Sequence, residues 1–281
     1  MKKILAIAVA TAISAPAMAD LTIGGGARYS VTDTDGNVAT DGRVSLTVAG
    51  SATGANGATA GYNLSMQANQ DDTDGLAIEN NYLTIGNEMV TVKLGSFEMT
   101  KVFSSGADTF QSDASGAAGY ENSAVRGRAS ANIEVLASAG AFDLGFGTRI
   151  DDADQNAQIS AKTTLGTVSV GAVYEIANAG NDDGVVLTAG TTVEGVSLNA
   201  SYGKKADAKS TNVNASYAGF GVAYQIDEDG TAANEEKSVY GTYTIADVAG
   251  IAGASVIIGA GNSETDSADS DKVGVRLNYA F

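Results

Sequence analysis

From Leu21 onward apolar and polar residues alternate in short runs separated by turn chemistry, with a period of two rather than 3.6. Leu21, Ile23, Gly25, Ala27 and Tyr29 share one face of a first strand, and Thr22, Gly24, Gly26 and Arg28 the other. The stretch SVTDTDGNVATD then reads as a loop. Arg43 to Ala49 resumes the pattern, with Val44, Leu46 and Val48 opposite Arg43, Ser45 and Thr47. After a Gly/Ala/Asn turn at 50–58, Tyr62, Leu64 and Met66 face away from Asn63, Ser65 and Gln67. The acidic QDDTDG loop leads to a less regular strand at 78–85, and a tight turn at Gly86-Asn87-Glu88 leads to Val90, Val92 and Leu94. These are five strands.

The rhythm then breaks. Residues 97–128, FEMTKVFSSGADTFQSDASGAAGYENSAVRGR, carry Glu98, Asp108, Asp113 and Glu121 against Lys101, Arg126 and Arg128. A structureless segment of this length inside a compact domain is functional or argues against the assignment. The functional reading makes it a loop folded into a barrel lumen, so those seven charged residues are the candidate pore constriction. Alternation resumes over 129–138, 142–150, 157–165, 168–176, 184–193, 196–204, 209–218, 220–226, 236–245, 251–260 and 272–281. Sixteen strands result, although an even count one hairpin higher or lower also accommodates the pattern. One set of connections is minimal (139–141, 166–167, 194–195, 219) and the other longer and acidic (151–156, 177–183, 227–234, 261–271). Short turns at one end and longer loops at the other mark an outer-membrane barrel, and an even count returns both termini to one end for closure.

Alternation alone fits a soluble sandwich as well, with its apolar face hidden in a core. The last strand separates the two. Val273, Val275, Leu277, Tyr279 and Phe281 share one face, Gly274, Arg276, Asn278 and Ala280 the other, and the chain ends on an aromatic. About nine residues is what a tilted strand needs to cross a bilayer. Tyr279 and Phe281 are the candidate assembly signal. At the other terminus Lys2 and Lys3, the apolar run Ile4 to Ser14 and Ala17-Met18-Ala19 form a secretory signal peptide over 1–19, leaving Asp20 first in a barrel domain at 20–281.

Removal of that peptide takes away Lys2 and Lys3 but none of the 33 acids, moving the formal charge from −17 to −19. Such acidity disfavours nucleic acid, whose phosphates require a basic surface. The absence of histidine and cysteine rules out imidazole bases, thiolate nucleophiles and zinc sites built on either, so no enzyme is expected. The only proline, Pro16, lies in the signal, which suits uninterrupted strand ladders. Asp33-Thr34-Asp35-Gly36 and Asp72-Thr73-Asp74-Gly75 open like calcium loops but have Val44 and Leu83 where an acid belongs. They read as turns, with no cofactor expected and only a minor allowance for divalent cations at acidic external loops. Inward-facing Arg28, Arg43, Lys93 and Arg276 are the candidate pore-wall bases, among polar neighbours such as Thr22, Ser45, Asn63, Ser65, Asn199, Ser201 and Asn278.

Taken together, the export signal, sixteen alternating strands, long segment after strand five and terminal phenylalanine resemble the general diffusion porins of the Gram-negative outer membrane, the small alphaproteobacterial type most nearly in length. VTVKLGSF at 90–97 is similar to that family's glycine-containing fifth strand, and YENSAVRGR at 120–128 to its descent into strand six. The resemblance implies a water-filled homotrimeric channel in outer-membrane lipid and lipopolysaccharide, inserted by the barrel-assembly machinery and passing ions and small hydrophilic solutes, with cations preferred. The chain departs from the family in having few bases on the wall near the constriction, so the resemblance does not by itself carry over the family's opposed acid and base clusters. A structural barrel or surface antigen with a plugged pore, and a secreted soluble β-protein, are the alternatives.

Overall fold

The computed structural model describes residues 21–54, 56–70, 75–104, 131–150, 157–177, 182–228, 235–265 and 268–281. The expected signal segment lies outside them. Sixteen strands follow in order: β1 (Thr22–Thr34), β2 (Asn37–Thr53), β3 (Thr59–Asn69), β4 (Ala77–Gly86), β5 (Val90–Ser96), β6 (Asn132–Ala139), β7 (Phe142–Arg149) and β8 (Ala157–Leu165). They continue as β9 (Val168–Ile176), β10 (Gly184–Val193), β11 (Val196–Lys205), β12 (Ala208–Tyr217), β13 (Phe220–Glu228), β14 (Glu235–Ala246), β15 (Ala254–Thr265) and β16 (Asp269–Ala280). Each strand pairs antiparallel with the next, and β16 pairs with β1 to close the barrel.

Closure decides where the apolar residues go. On β13, Phe220, Val222 and Tyr224 point outward with 61%, 51% and 43% of their surface exposed, while Ala223, Gln225 and Asp227 between them are buried. On β16, Val273, Val275, Leu277 and Tyr279 are likewise exposed and Gly274 is buried. A continuous apolar exterior far exceeds the few hundred Å² that a soluble monomer leaves open. It matches a barrel wall facing hydrocarbon, with the polar side chains turned to the lumen. Among the described residues no helix is long and apolar enough to cross a membrane, so crossing falls to the strands.

The seam is built at residue level. Nine register pairs, from Gly26↔Ala280 to Thr34↔Lys272, join β1 to β16. Phe281 extends them, its N–H donating to the Gly25 carbonyl at 3.1 Å and its carbonyl accepting from the Gly25 N–H at 3.0 Å. Its ring lies against the backbone at Gly25, where a Cβ would stand 2.6 Å from the ring and 2.5 Å from the Ser45 carbonyl oxygen. The Gly24-Gly25-Gly26 run is therefore a seat for the terminal aromatic.

Two expected loops are strand instead. Residues 30–41 extend β1 and β2 around a two-residue turn, Asp35-Gly36, with φ of 52° and 82°. The β-branched Val31, Thr32, Thr34, Val38 and Thr40 pair across the hairpin, and both turn residues take the left-handed conformation that matches strand twist. Likewise most of 261–271 belongs to β15 and β16, paired Gly261↔Lys272 through Glu264↔Asp269, with Asn262 donating to the Asp271 carboxylate at 3.0 Å. At the other end of β15 the start shifts from 251 to Ala254, because Val248–Gly250 form a 3-10 turn. Asp227 and Glu228, expected in a loop, are the last residues of β13.

Asp35 ties the first hairpin to the seam. Its N–H donates to the Asp271 carbonyl at 3.1 Å, and its carboxylate accepts the Asp271 N–H at 2.8 Å. That backbone donor, joined by the Ser270 hydroxyl, holds the Asp35 carboxyl below the usual carboxylate range. A depressed folded-state pKa contributes stability above the unfolded value of about 3.9 and loses it as pH falls through the folded value. Amide exchange at Asp271 is expected to accelerate below about pH 4. In Asp35→Asn the exchange should show no such acid-dependent step; an identical step in both proteins would remove Asp35 from the account.

Candidate pore and constriction

The departure of the chain from the wall begins at β5. Lys93 and Gly95 face the lumen, and Gly95 takes φ 139° where a Cβ would lie 2.2 Å from the Asn81 carbonyl oxygen. Beyond it Phe97 turns inward and is fully buried. The Lys93 ammonium sits 4.2 Å from the Tyr82 ring centroid and 4.0 Å from that of Phe97, and the two rings meet edge to face at 5.6 Å. A desolvated cation between two aromatic faces contributes on the order of 2 kcal/mol. Lys93 therefore anchors the root of the long segment rather than standing as an isolated wall base.

Phe97 to Ser104 then walks across the barrel, meeting one strand after another. The Phe97 carbonyl accepts from Asn132 of β6 at 2.6 Å. The Thr100 N–H and hydroxyl both donate to the Glu134 carboxylate of β6, at 2.8 and 2.7 Å. Met99 lies over Gly147 of β7, where an added Cβ would stand 2.5 Å from its sulfur. Gln158 of β8 donates to the Thr100 carbonyl at 2.7 Å. Val102 and Phe103 pack with Val173 of β9 and Val186 of β10. Finally the Ser104 N–H donates to Ser201 of β11 at 2.8 Å, and its carbonyl accepts from Asn214 of β12 at 3.3 Å.

This path has only one geometric solution. Seven residue steps cover at most about 25 Å, whereas seven strand spacings of about 4.8 Å amount to about 34 Å around the wall. A segment that reaches from β5 to β12 in eight residues must cut a chord through the interior. The polar side chains receiving it are themselves tied down. Asn214 donates to Asn212 at 2.9 Å, Asn212 to Gln225 at 3.0 Å and Gln225 to the Asp227 carboxylate at 2.6 Å, with Ser210 donating to the other Asp227 oxygen. Buried polar groups persist where such partners satisfy them.

The opposite wall is basic. Arg28 of β1 and Arg43 of β2 are register partners on the inner face. Arg276 of β16 stands opposite Ser30, one diagonal position from Arg28, and Lys272 lies on the same row of β16. Arg28 pairs with Asp41 at 2.9 Å, and Arg43 donates to Gln67 at 3.3 Å. On the chord side Glu134 is spent on Thr100, and Glu175 faces Lys205 at 3.8 Å. Closure of β16 onto β1 gathers on one wall bases that lie at opposite ends of the sequence.

A closed sixteen-strand barrel with an apolar exterior and a polar, charged interior crossed by its own chain is a membrane channel architecture. The family model described as Gram-negative porin matches residues 6–281. The chain belongs to the Gram-negative porin family. It is an outer-membrane β-barrel, and its family is one of channel proteins. Among solved structures this porin is similar to a five-substitution variant of Rhodopseudomonas blastica porin, 17% identical with a TM-score of 0.70, covering 93% of this chain and 100% of that one. A triple mutant of the same porin is 18% identical with a TM-score of 0.69, covering 92% and 100%. A third, described only through the asymmetric conductivity of engineered proteins, is 17% identical with a TM-score of 0.70, covering 93% and 100%. No curated protein matches the chain.

Of the expected constriction residues, Glu98 is half-buried and Lys101 exposed along the crossing stretch. Asp108, Asp113, Glu121, Arg126 and Arg128 lie outside the described residues. The four wall bases all face inward, as do Asn199, Ser201 and Asn278. Sequence reasoning missed Asn132, Glu134, Gln158 and Asn214 as receivers of the porin's crossing segment. Each is an amide or acid at an inward strand position, and the one available signal was a buried-type polar residue on the otherwise small-residue face. Among the described residues no cluster of three or more acids holds a metal-binding arrangement.

Proposed function

We propose that this porin, after removal of residues 1–19, forms a homotrimer through which ions and small hydrophilic solutes diffuse passively. The observation that carries the reading is the chord from Phe97 to Ser104, which leaves the β13 to β16 and β1 to β4 side of the lumen as the passage. Residues 97–128, with the acids Glu98, Asp108, Asp113 and Glu121, are the constriction, in a lumen whose wall carries the Arg28, Arg43 and Arg276 row. Opposed charges in a narrow, low-dielectric passage focus the field across it, so solutes with large dipoles or bulky apolar parts are slowed relative to small polar ones. The 33 acids against the 14 bases that remain once Lys2 and Lys3 are removed favour cations at the mouth. Stepwise conductance in a planar bilayer tests the reading; absence of steps from folded protein would favour a plugged structural barrel.

Selectivity gives the sharper test. Neutralising Asp108, Asp113 and Glu121 as Asn, Asn and Gln should move the zero-current potential in a KCl gradient toward anions. Replacing Arg28, Arg43 and Arg276 with Gln should move it the other way. Asp182, Glu264 and Asp269 are exposed at the long-loop end, where charges are screened over about 8 Å in physiological electrolyte. Their neutralisation should shift the potential much less, and a shift as large as that of the loop set would place the constriction elsewhere.

A further inference from the structure

One stretch of the porin's outer surface is not a plain wall. Across β9 to β14 an apolar groove of about 580 Å³ runs perpendicular to the strands. Its floor is small, formed by Ala189, Ala200 and Ala215, and its rim is large, formed by Leu198, Val213 and Tyr224. All six lie on outward positions of adjoining register rows, as Ala189↔Ala200, Ala200↔Val213 and Val213↔Tyr224 pair directly.

Lys204 and Lys209 stand above this groove. They are register partners on β11 and β12, on the same outward face and toward the long-loop end. Four residues separate Lys204 from Ala200, and Lys209 from Val213, which is about 13 Å along each strand. Strand tilt shortens this to about 10 Å of depth, comparable with the distance from an acyl mid-section to its headgroup in a leaflet about 15 Å deep. Lys209 is shared with Glu228 at 2.8 Å, whereas Lys204 is exposed and makes no ion pair with any of the described residues. A cation without a carboxylate, poised at headgroup height over an apolar groove, is complementary to one kind of molecule.

We propose that the groove and the Lys204–Lys209 pair form a retained site for one phosphate-bearing lipid of the surrounding leaflet, its acyl chain against Ala189, Ala200 and Ala215 and its phosphate on the two ammonium groups. The bilayer offers both halves of this ligand at once, and only an anionic lipid satisfies the cations. A zwitterionic lipid fills the groove but brings its own positive charge to the lysines.

Native mass spectrometry of the porin, released from nanodiscs of equal phosphatidylcholine and phosphatidylglycerol, tests the proposal. Retained phosphatidylglycerol should exceed phosphatidylcholine by about fivefold, the contribution of one unpaired lysine at a lipid surface. Lys204→Gln with Lys209→Gln should abolish the preference while leaving total lipid retention largely unchanged. Ala200→Phe with Ala215→Phe, which fills the groove and leaves the charges, should reduce retention of both lipids. Single-channel conductance should be unaffected by either pair, which separates this site from the pore. Equal retention of the two lipids by the unaltered protein, or unchanged retention in both variants, would overturn the proposal. So would dissociation of the oligomer by the phenylalanine pair with lipid retention intact, since the groove would then be a contact between copies.

Discussion

Leu277→Arg is expected to destabilise the folded barrel by about 2–4 kcal/mol near the bilayer midplane, while Asn278→Arg at the next position is tolerated. The two positions differ only in facing. Leu277 is outward and 51% exposed, sitting between its register partners Tyr29 of β1 and Val256 of β15. Asn278 faces the lumen, opposite Arg28 and donating to Ser255 at 3.4 Å. An arginine at 277 must be desolvated or drag water into hydrocarbon; one at 278 joins an interior that already holds Arg28 and Arg276. Reversible folding into lipid vesicles, followed by denaturant titration, measures both. Equal losses would mean that the two faces meet the same solvent, contrary to the membrane reading.

Gly25→Val is expected to cost more than an ordinary strand substitution, because its Cβ meets backbone as well as a side chain. Overpacking of one site costs about 1–3 kcal/mol when neighbours can yield. Here the Phe281 ring can move, but the Ser45 carbonyl oxygen, 2.5 Å away, belongs to the ladder between β1 and β2. The seam must shift to relieve it. Deleting Phe281 attacks the same place from the other side, removing two backbone hydrogen bonds to Gly25 and exposing groups that lipid does not satisfy. Both variants should be exported and fail to reach the heat-modifiable folded form on gels. Phe281→Ala keeps the backbone pairs and loses only the ring, so its defect should be milder; if all three behave alike, the seat at Gly25 is not what closes the barrel.

Much of the fold was legible because a barrel strand obeys one local rule. Sixteen predicted strands are found as sixteen, and the bounds of β8 to β10 fall on the expected residues. Where the reading failed, local chemistry and pairing disagreed. Residues 30–41 contain five polar turn-formers, yet Asp35-Gly36 alone makes the turn, because Val31 and Thr32 have partners in Thr40 and Ala39 that no local window displays. Asp227 looked like loop acid by composition and is a buried wall residue, held by Ser210 and Gln225. Arg28, Arg43 and Arg276 were legible as inward bases, but their adjacency was not, for a different reason. Arg28 and Arg276 come together only when β16 meets β1, and a ladder spanning the whole chain cannot be read from spacing.

The chord from Phe97 to Ser104 also sets an order of events. Its last hydrogen bond joins residues 110 apart in sequence, Ser104 and Asn214, and the contacts before it are spread over β6 to β11. Such distant pairs repay their loop-closure entropy only after the wall between them exists. Docking of the crossing segment is therefore expected to follow closure of the wall, so that the barrel inserts and seals while its interior is still wide. Weakening Ser201 or Asn214 should leave the insertion rate almost unchanged and speed only the release of the segment, as expected for contacts absent from the rate-limiting step. A newly inserted channel would then conduct more in its first moments than at rest, and the fall in its current would time the docking.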